Sequence, residues 1–433
     1  MVFLDAAIQQ AGVRRHNGVY TPLVTLWLLV LQRLRGGAPL EAVVLDLIRG
    51  LPASFWPRPC KRIRKWRQTG KAPSGNTGAY NQARQALPLS MVRDSCDRIF
   101  EGLMDQFGDL GRQNKDRAFV LDGSSLRAAH TPKLCKAYPP GSNQYREGHW
   151  PLLRVLVAHD IHTGLAMRPE WGPMHGPDRV SEQKLLERAM ERLPSEATVV
   201  GDANFGVFCV AYTATNRHHP VLLRLSSPRA RSLAQEPLRD GINRPVVWKP
   251  SPRDRRSHPE LPPDACVRGR LIVCRVQPDH GGNPILLALF TSMEQGEKEI
   301  LALYGQRWKI ETDLRTLKST LRLDQLTCST PDMAAKEIDM GIAAYNLVRA
   351  VTCLAAEQSG IAPRGYSFTR VRRIVETFTP LILSSPNPRE AKAIWARMME
   401  YVQQAKLPRR RRKRRTYPRQ VWNRGDRYPK RSK

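Results

Sequence analysis

Three carboxylates and a group of cations are the residues here whose types and spacing could do chemistry. Asp122 follows the apolar run FVL, and Asp202 follows TVVG. Glu311 lies in YGQRWKIETDLRTLK, Tyr304 to Lys318. Carboxylate oxygens with open coordination positions suit Mg²⁺ (or Mn²⁺), which keeps waters and accepts phosphate oxygens. Two such ions, ~3.5–4 Å apart, can activate an attacking hydroxyl and stabilise the leaving oxygen of an in-line displacement at phosphorus.

The third acid has unusual neighbours. On an α-helix, with Glu311 as the origin, Arg307 falls at about −40°, Tyr304 at about +20°, Lys318 at about −20° and Arg315 at about +40°. All five then share one stripe, while Ile310, Leu314 and Leu317 lie on flanks suited to packing. A salt-bridged surface stripe gives the same pattern. Arg307–Glu311 and Glu311–Arg315 are i,i+4 pairs, each worth about 0.3 kcal/mol when exposed. In the alternative the acid holds metal, Arg307 grips phosphate by its planar fork and Lys318 acts as a point charge. The stripe's net positive charge is not needed for pairing alone. Singly, Asp122 before Gly123 also reads as a turn residue, and Asp202 as a helix cap. Together they stand at the ends of apolar strands, where an open α/β sheet presents functional groups.

The elements that must position these residues follow from pattern. Leu23–Arg35 reads as a helix broken by Gly36–Gly37, and APLEAVVLDLIRG as a second helix ending at Gly50. FWPRPCKRIRKWRQTGKAPSGNTGAYNQARQALP mixes cations with Trp56, Trp66 and Tyr80. A solvated linker explains its polarity but not its aromatic residues, so Arg64, Lys65 and Arg67 become candidate DNA contacts. LPLSMVRDSCDRIFEGLMDQF is a further helix. From residue 117 the grammar changes. RAFVLDG reads as a strand ending at Asp122 and Gly123, and WPLLRVLVAHDIHTGLAMRPEW as two strands around a turn at His162–Gly164. SEQKLLERAMERL is an amphipathic helix, ATVVGDANFG a buried strand ending at Asp202, FGVFCVAYTATNRH a helix and HPVLLRLSS a strand. This order predicts an α/β fold with a mixed sheet. Residues 230–292 read as a small β-rich insertion. Helical grammar resumes with EQGEKEILALYGQRWKIETDLRTLKSTL and EIDMGIAAYNLVRAVTCLAAEQ, and with a helix at 388–405.

Seventy basic against 39 acidic residues leave a net charge of +31, which predicts a polyanionic partner. From Lys406 to Lys433 there are fourteen Lys/Arg and one acid, Asp426, so +13 of that sits in the tail. The rest of the chain stays strongly basic. Eight cysteines without a C-x-x-C pair argue against a zinc ribbon or a disulfide framework and suit a reducing cytosol. The N-terminal MVFLDAAIQQAG has no signal-peptide pattern. The apolar run Leu23–Leu34 is too short to span a bilayer, so no membrane partner is expected. A histidine metal site is disfavoured: His159, His162, His218 and His219 lack H-E-x-x-H spacing.

Tyr304, Arg307, Glu311 and Lys318 match Y-x2-R-x3-E-x6-K. In this the sequence resembles the bacterial insertion-sequence transposases of the IS-four family, a branch of the DDE transposases. VLDGSSLR, VVGDANFG, YNLVR (Tyr345–Arg349) and TGAYNQARQALP add to the likeness, which covers roughly residues 20–360. The resemblance implies an RNase H-like catalytic core, a mixed sheet flanked by helices, in segments 113–229 and 293–360. The β-rich insertion (230–292) would interrupt it. An all-helical N-terminal DNA-binding domain (1–112), a C-terminal helical region (361–407) and a disordered basic tail (408–433) would complete the chain. It implies Asp122, Asp202 and Glu311 as catalytic, metal-binding acids, with two divalent ions. Tyr304, Arg307, Lys318 and Arg315 would contact DNA. The partners would be double-stranded DNA, both terminal inverted repeats and target, and a second copy of the chain when DNA ends are bound. The expected reaction is hydrolytic nicking at an element end and attack by the freed 3′-hydroxyl, in some members through a hairpin. A bacterial cytoplasmic, nucleoid-associated protein is expected. A non-catalytic DNA-binding derivative and a structure-specific nuclease with the same core are the rivals.

Overall fold

The computed structural model describes residues 18–111, 117–142, 147–277 and 284–408. The N-terminal MVFLDAAIQQAG and the Arg-rich tail beyond residue 408 lie outside the described residues.

Five helices lead the chain: α1 (Pro22–Leu34), α2 (Leu40–Arg49), α3 (Lys61–Thr69), α4 (Gly78–Ala86) and α5 (Leu89–Phe107). Thr21 caps α1, its hydroxyl accepting from the Val24 N–H, and Pro22 takes the first-turn position it tolerates. The α/β part follows with β1 (Ala118–Arg127), α6 (Pro132–Ala137), β2 (Pro140–Ser142), β3 (Glu147–Asp160), β4 (Glu170–Pro173), α7 (Glu182–Met190), β5 (Thr198–Gly201), α8 (Phe208–Asn216) and β6 (Val221–Arg224). Then come α9 (Ser227–Ala234), β7 (Ile242–Trp248), α10 (Pro252–Ser257), β8 (Val267–Val276), β9 (Ile285–Thr291), α11 (Glu297–Gly305) and α12 (Lys309–Arg315). The last helices are α13 (Pro331–Ser359), α14 (Phe368–Leu383) and α15 (Pro388–Gln403).

The nine strands form one mixed sheet, ordered β2-β3-β1-β5-β6-β9-β8-β7, with β4 also paired to β3. β1 runs antiparallel to β3 and parallel to β5, and β5 is parallel to β6. Alternation along β1 sorts its side chains between two cores. Ala118 and Val120 face the core shared with the N-terminal helices and α13, and Phe119 and Leu121 face the core under α7 and α8. Residues 230–292 hold β7, β8 and β9 together with α10 and most of α9. Their strands extend the same sheet, β9 pairing antiparallel with β6.

Three sequence expectations need correction. β1 does not end at Asp122 but runs to Arg127, because GSSLR continues the ladder with Leu152–Leu156 of β3. The helix through Glu311 is not continuous. Residues Gln306–Trp308 form a 3₁₀ turn and Thr316–Thr320 a π turn, so its faces do not follow one 100° projection. Third, packing explains the aromatic residues of the 55–88 segment. Trp56 and Tyr80 are buried, the Trp56 indole donates to the Val19 carbonyl, and Trp66 meets Trp56 edge-on at 6.2 Å. Arg64, Lys65 and Arg67 remain exposed.

Residues Pro331–Ser359 are the longest helix of the described residues and are apolar enough to cross a membrane by length and composition. Here 83 % of that apolar window is buried against other helices, chiefly α1 and α5.

Candidate active site

The register of the parallel pair β1–β5 gathers the first two acids. Ala118 aligns with Thr198, Phe119 with Val199 and Val120 with Val200. Two residues further along that register lie Asp122 and Asp202, on strands about 4.8 Å apart. Asp122 is half-buried, and its carboxylate accepts from the Gly123 N–H at 2.8 Å. Asp202 follows β5 directly and accepts from the Asn204 N–H at 2.9 Å. Thus Asp202 does occupy a local turn, as its sequence position allows, with its carboxylate at the strand end.

Burial pushes the Asp122 carboxyl up to about 6. The neighbouring Asp202 and Glu182 add to the rise, and the Gly123 N–H and Arg307 counter it. Three acids and one guanidinium therefore share this field. The residues fit a hard divalent cation. Their donors are all oxygen, and the half-buried Asp122 carries a charge repulsion that a bound cation would relieve. Among the described residues no three His, Cys, Asp or Glu side chains converge closely enough to form a metal cage by themselves. The third acid of the expected set, Glu311, lies on a different element.

That third acid comes from α12, which packs on β1. Ile310, Leu314 and Leu317 are buried as their positions predict. The Glu311 side chain is 44 % exposed, and its Oε1 lies 3.7 Å from an Arg307 nitrogen. Arg307 itself is buried, its guanidinium 4.9 Å from the Trp308 ring and 6.0 Å from that of Tyr304. Tyr304 is buried with its hydroxyl unpartnered, and burial raises its pKa. Lys318 reaches β1, its Nζ donating to Ser124 Oγ at 3.1 Å. Asp122 and Ser124 point to the same face of β1, so Lys318 and Arg307 approach the acids from one side. Arg315 is exposed. The stripe is therefore part exposed and part buried. Arg64, Lys65 and Arg67 on α3 have no hydrogen bond or ion pair to the carboxylates.

A buried network holds α12 in place. Asp313 is fully buried between Arg349 of α13, at 2.6 Å, and Arg364, at 2.8 Å. Arg349 also donates to the Tyr345 hydroxyl, which donates to the Gly164 carbonyl, and Asn346 bonds both N–H and C=O of Ala166. YNLVR thus ties α13 to α12 and to the turn after β3. His159 packs within this network, and burial lowers it to about 4, so it is neutral near pH 7. It is a core histidine.

Sequence reasoning missed Glu182 and Asn204 at the acid pair and Trp308 beside Arg307. Glu182 follows the Ser181 helix cap, where an acid is ordinary, so composition alone gave no signal.

Two comparisons with known proteins bear on the chain. The family model described as "Transposase DDE domain" matches residues 113–347. The chain is 24% identical over 369 residues to "Transposase InsG for insertion sequence element IS4" of Escherichia coli (strain K12), covering 83% of this chain and 79% of that protein. The chain belongs to the DDE transposases, in the IS-four family.

Proposed function

We propose that the protein binds the terminal inverted repeats of an insertion sequence, cleaves there by metal-dependent hydrolysis and joins the 3′-hydroxyl ends to target DNA. The observation that carries this reading is the register that sets Asp122 beside Asp202, with Arg307 in their field. Asp122, Asp202 and Glu311 would hold two divalent ions, Mg²⁺ or Mn²⁺. Bound there, such ions supply Lewis acidity and a more acidic water or hydroxyl.

The chain's own groups do the rest. Asp122 and Asp202 fix the position at which the scissile phosphate must sit. Arg307, held by its stack on Trp308, offers a planar fork to a phosphate oxygen, and Lys318, steadied by Ser124, a point charge beside it. Tyr304 backs this contact, its ring 6.0 Å from the Arg307 guanidinium, and would act on DNA beside that group. Arg315 and the α3 cations Arg64, Lys65 and Arg67 lie on exposed surfaces where phosphate further along the duplex can be met. The strand order β4-β3-β1-β5-β6 supports an RNase H-like core, with β7, β8 and β9 as its inserted extension and the N-terminal helices as the end-binding part. Glu311 would join the aspartates when DNA ends are bound by the dimer.

The test is a cleavage assay. Purified protein is mixed with a DNA fragment carrying the ends that flank its gene, in Mg²⁺ or in chelator. A gel is scored for nicks, hairpins and joined products. Nicks at the element ends, dependent on Mg²⁺ and lost in Asp122→Asn, support the reading. End binding without cleavage by the wild-type protein would replace it with a non-catalytic DNA-binding role.

A further inference from the structure

Glu182 is the first residue of α7 after the Ser181 cap, whose hydroxyl accepts from the Lys184 N–H at 3.1 Å. That cap fixes where Glu182 starts. α7 packs on the face of the sheet opposite to the one Asp122 points from. Glu182 crosses the gap at Gly123, whose missing side chain makes room: a Cβ there would overlap the Glu182 carboxyl. One Glu182 oxygen lies 3.6 Å from Arg154 of β3, and the other accepts from the Asn204 side-chain amide at 2.5 Å.

Asn204 is held at three points. Its N–H donates to the Asp202 carboxylate at 2.9 Å, its side-chain amide donates to Glu182, and its carbonyl accepts from the Gln183 side chain at 3.1 Å. The Asn204 side chain is otherwise exposed, so without Glu182 it has no internal partner to stop it turning into water. The Asp202 carboxylate depends on the N–H of the same residue. A carboxylate that must present oxygens in one direction gains from such a tether, because groups that orient ligands set much of a site's affinity.

We propose that Glu182 is a positioning residue of the active site: through Asn204 it locks the turn that aims the Asp202 carboxylate at the place shared with Asp122. Gly123 is glycine because this brace passes beside it. The inference rests on the reading that Asp122 and Asp202 bind a divalent ion. Glu182 itself needs no contact with that ion or with DNA.

The experiment measures Mn²⁺ binding to the full-length, DNA-free protein, by electron paramagnetic resonance of the unbound ion. Glu182→Ala and Asn204→Ala are each expected to weaken binding by about 10-fold, the lower end of the usual loss when a ligand's orienting partner is removed. The double variant should be no weaker than either single one, since both break the same tether. Glu182→Gln, whose amide oxygen can still accept from Asn204, should recover most of the affinity, which a general folding defect or a simple loss of charge would not allow. Wild-type affinity in Glu182→Ala, additive losses in the double variant, or no recovery by Glu182→Gln would each overturn the proposal. Asp202→Asn separates the two levels. Loss of Mn²⁺ binding in that variant with none in Glu182→Ala refutes the brace alone. Unchanged binding in Asp202→Asn refutes the metal reading and the brace with it.

Discussion

Asp313 lies two residues after Glu311 and is clamped between Arg349, at 2.6 Å, and Arg364, at 2.8 Å, with no exposure to water. The helix that carries an exposed acid is thus anchored by a buried one. Burial alone would raise the Asp313 carboxyl, but Arg364 and Arg349 outweigh it and hold the group at about 2. Asp313→Ala would leave two guanidinium groups buried and uncompensated. Such a change typically costs about 3–5 kcal/mol. Urea unfolding should show a loss of that order, and a variant as stable as the wild type would contradict the anchoring role.

The same pair sets an acid limit. The folded pKa of Asp313 is lower than its unfolded value of about 3.9, so its contribution is present above pH ~4 and is lost as pH falls toward 2. His159 acts earlier. Burial lowers it to about 4 from an unfolded value near 6.5, so stability declines as pH falls through that interval because the unfolded chain binds the proton more readily. Asp122 and Asp339, raised by burial to about 6 and about 7, act in the opposite sense between pH 7 and 4, so the His159 share is read by difference. The stability gap between wild type and His159→Gln should shift as pH falls from 6.5 to 4, and a gap that stays constant over that interval would mean that His159 is not buried as described.

Arg307 and Lys318 should hold DNA next to the cut. Hydrogen bonds to charged groups are worth about 1.5–3 kcal/mol, so Arg307→Ala should weaken end binding by about 10-fold or more. Lys318→Ala also frees Ser124 and should act in the same direction. Footprinting should show the lost protection nearest the cleavage position. Unchanged protection and unchanged cleavage in both variants would assign the two cations to structure.

The Arg-rich end is a separate electrostatic element. Truncation after Leu407 removes all but one of the fourteen cations counted from Lys406 to Lys433. Non-specific DNA affinity should fall, and the plot of log affinity against log salt should flatten, because fewer counterions are released. An identical slope would remove the tail from DNA binding.

Much of the site was legible in sequence because short-range chemistry specified it. FVL and TVVG read as buried strands, and the register that pairs them, continued two residues, brings the following aspartates side by side. Helix spacing groups Glu311 with its cations, yet that projection assumes one uniform helix. The 3₁₀ turn at Gln306–Trp308 and the π turn at Thr316–Thr320 are tertiary adjustments, made as Arg307 turns inward and Lys318 reaches Ser124, and no local propensity announces them. The partners of Asp313 were invisible for a related reason: Arg349 and Arg364 are distant in sequence, and a buried ion pair leaves no periodic trace. Trp56 and Tyr80 show the opposite error, since aromatic residues among cations look like a nucleic-acid surface until packing claims them.

The central claim is that Glu311 is a catalytic acid rather than half of an exposed ion pair with Arg307. Strand cleavage by Glu311→Gln, measured beside its binding to the same DNA ends in Mg²⁺, tests this most directly. The account predicts no nick above background with end binding kept. Cleavage at the wild-type rate would return Glu311 to the surface and contradict the account.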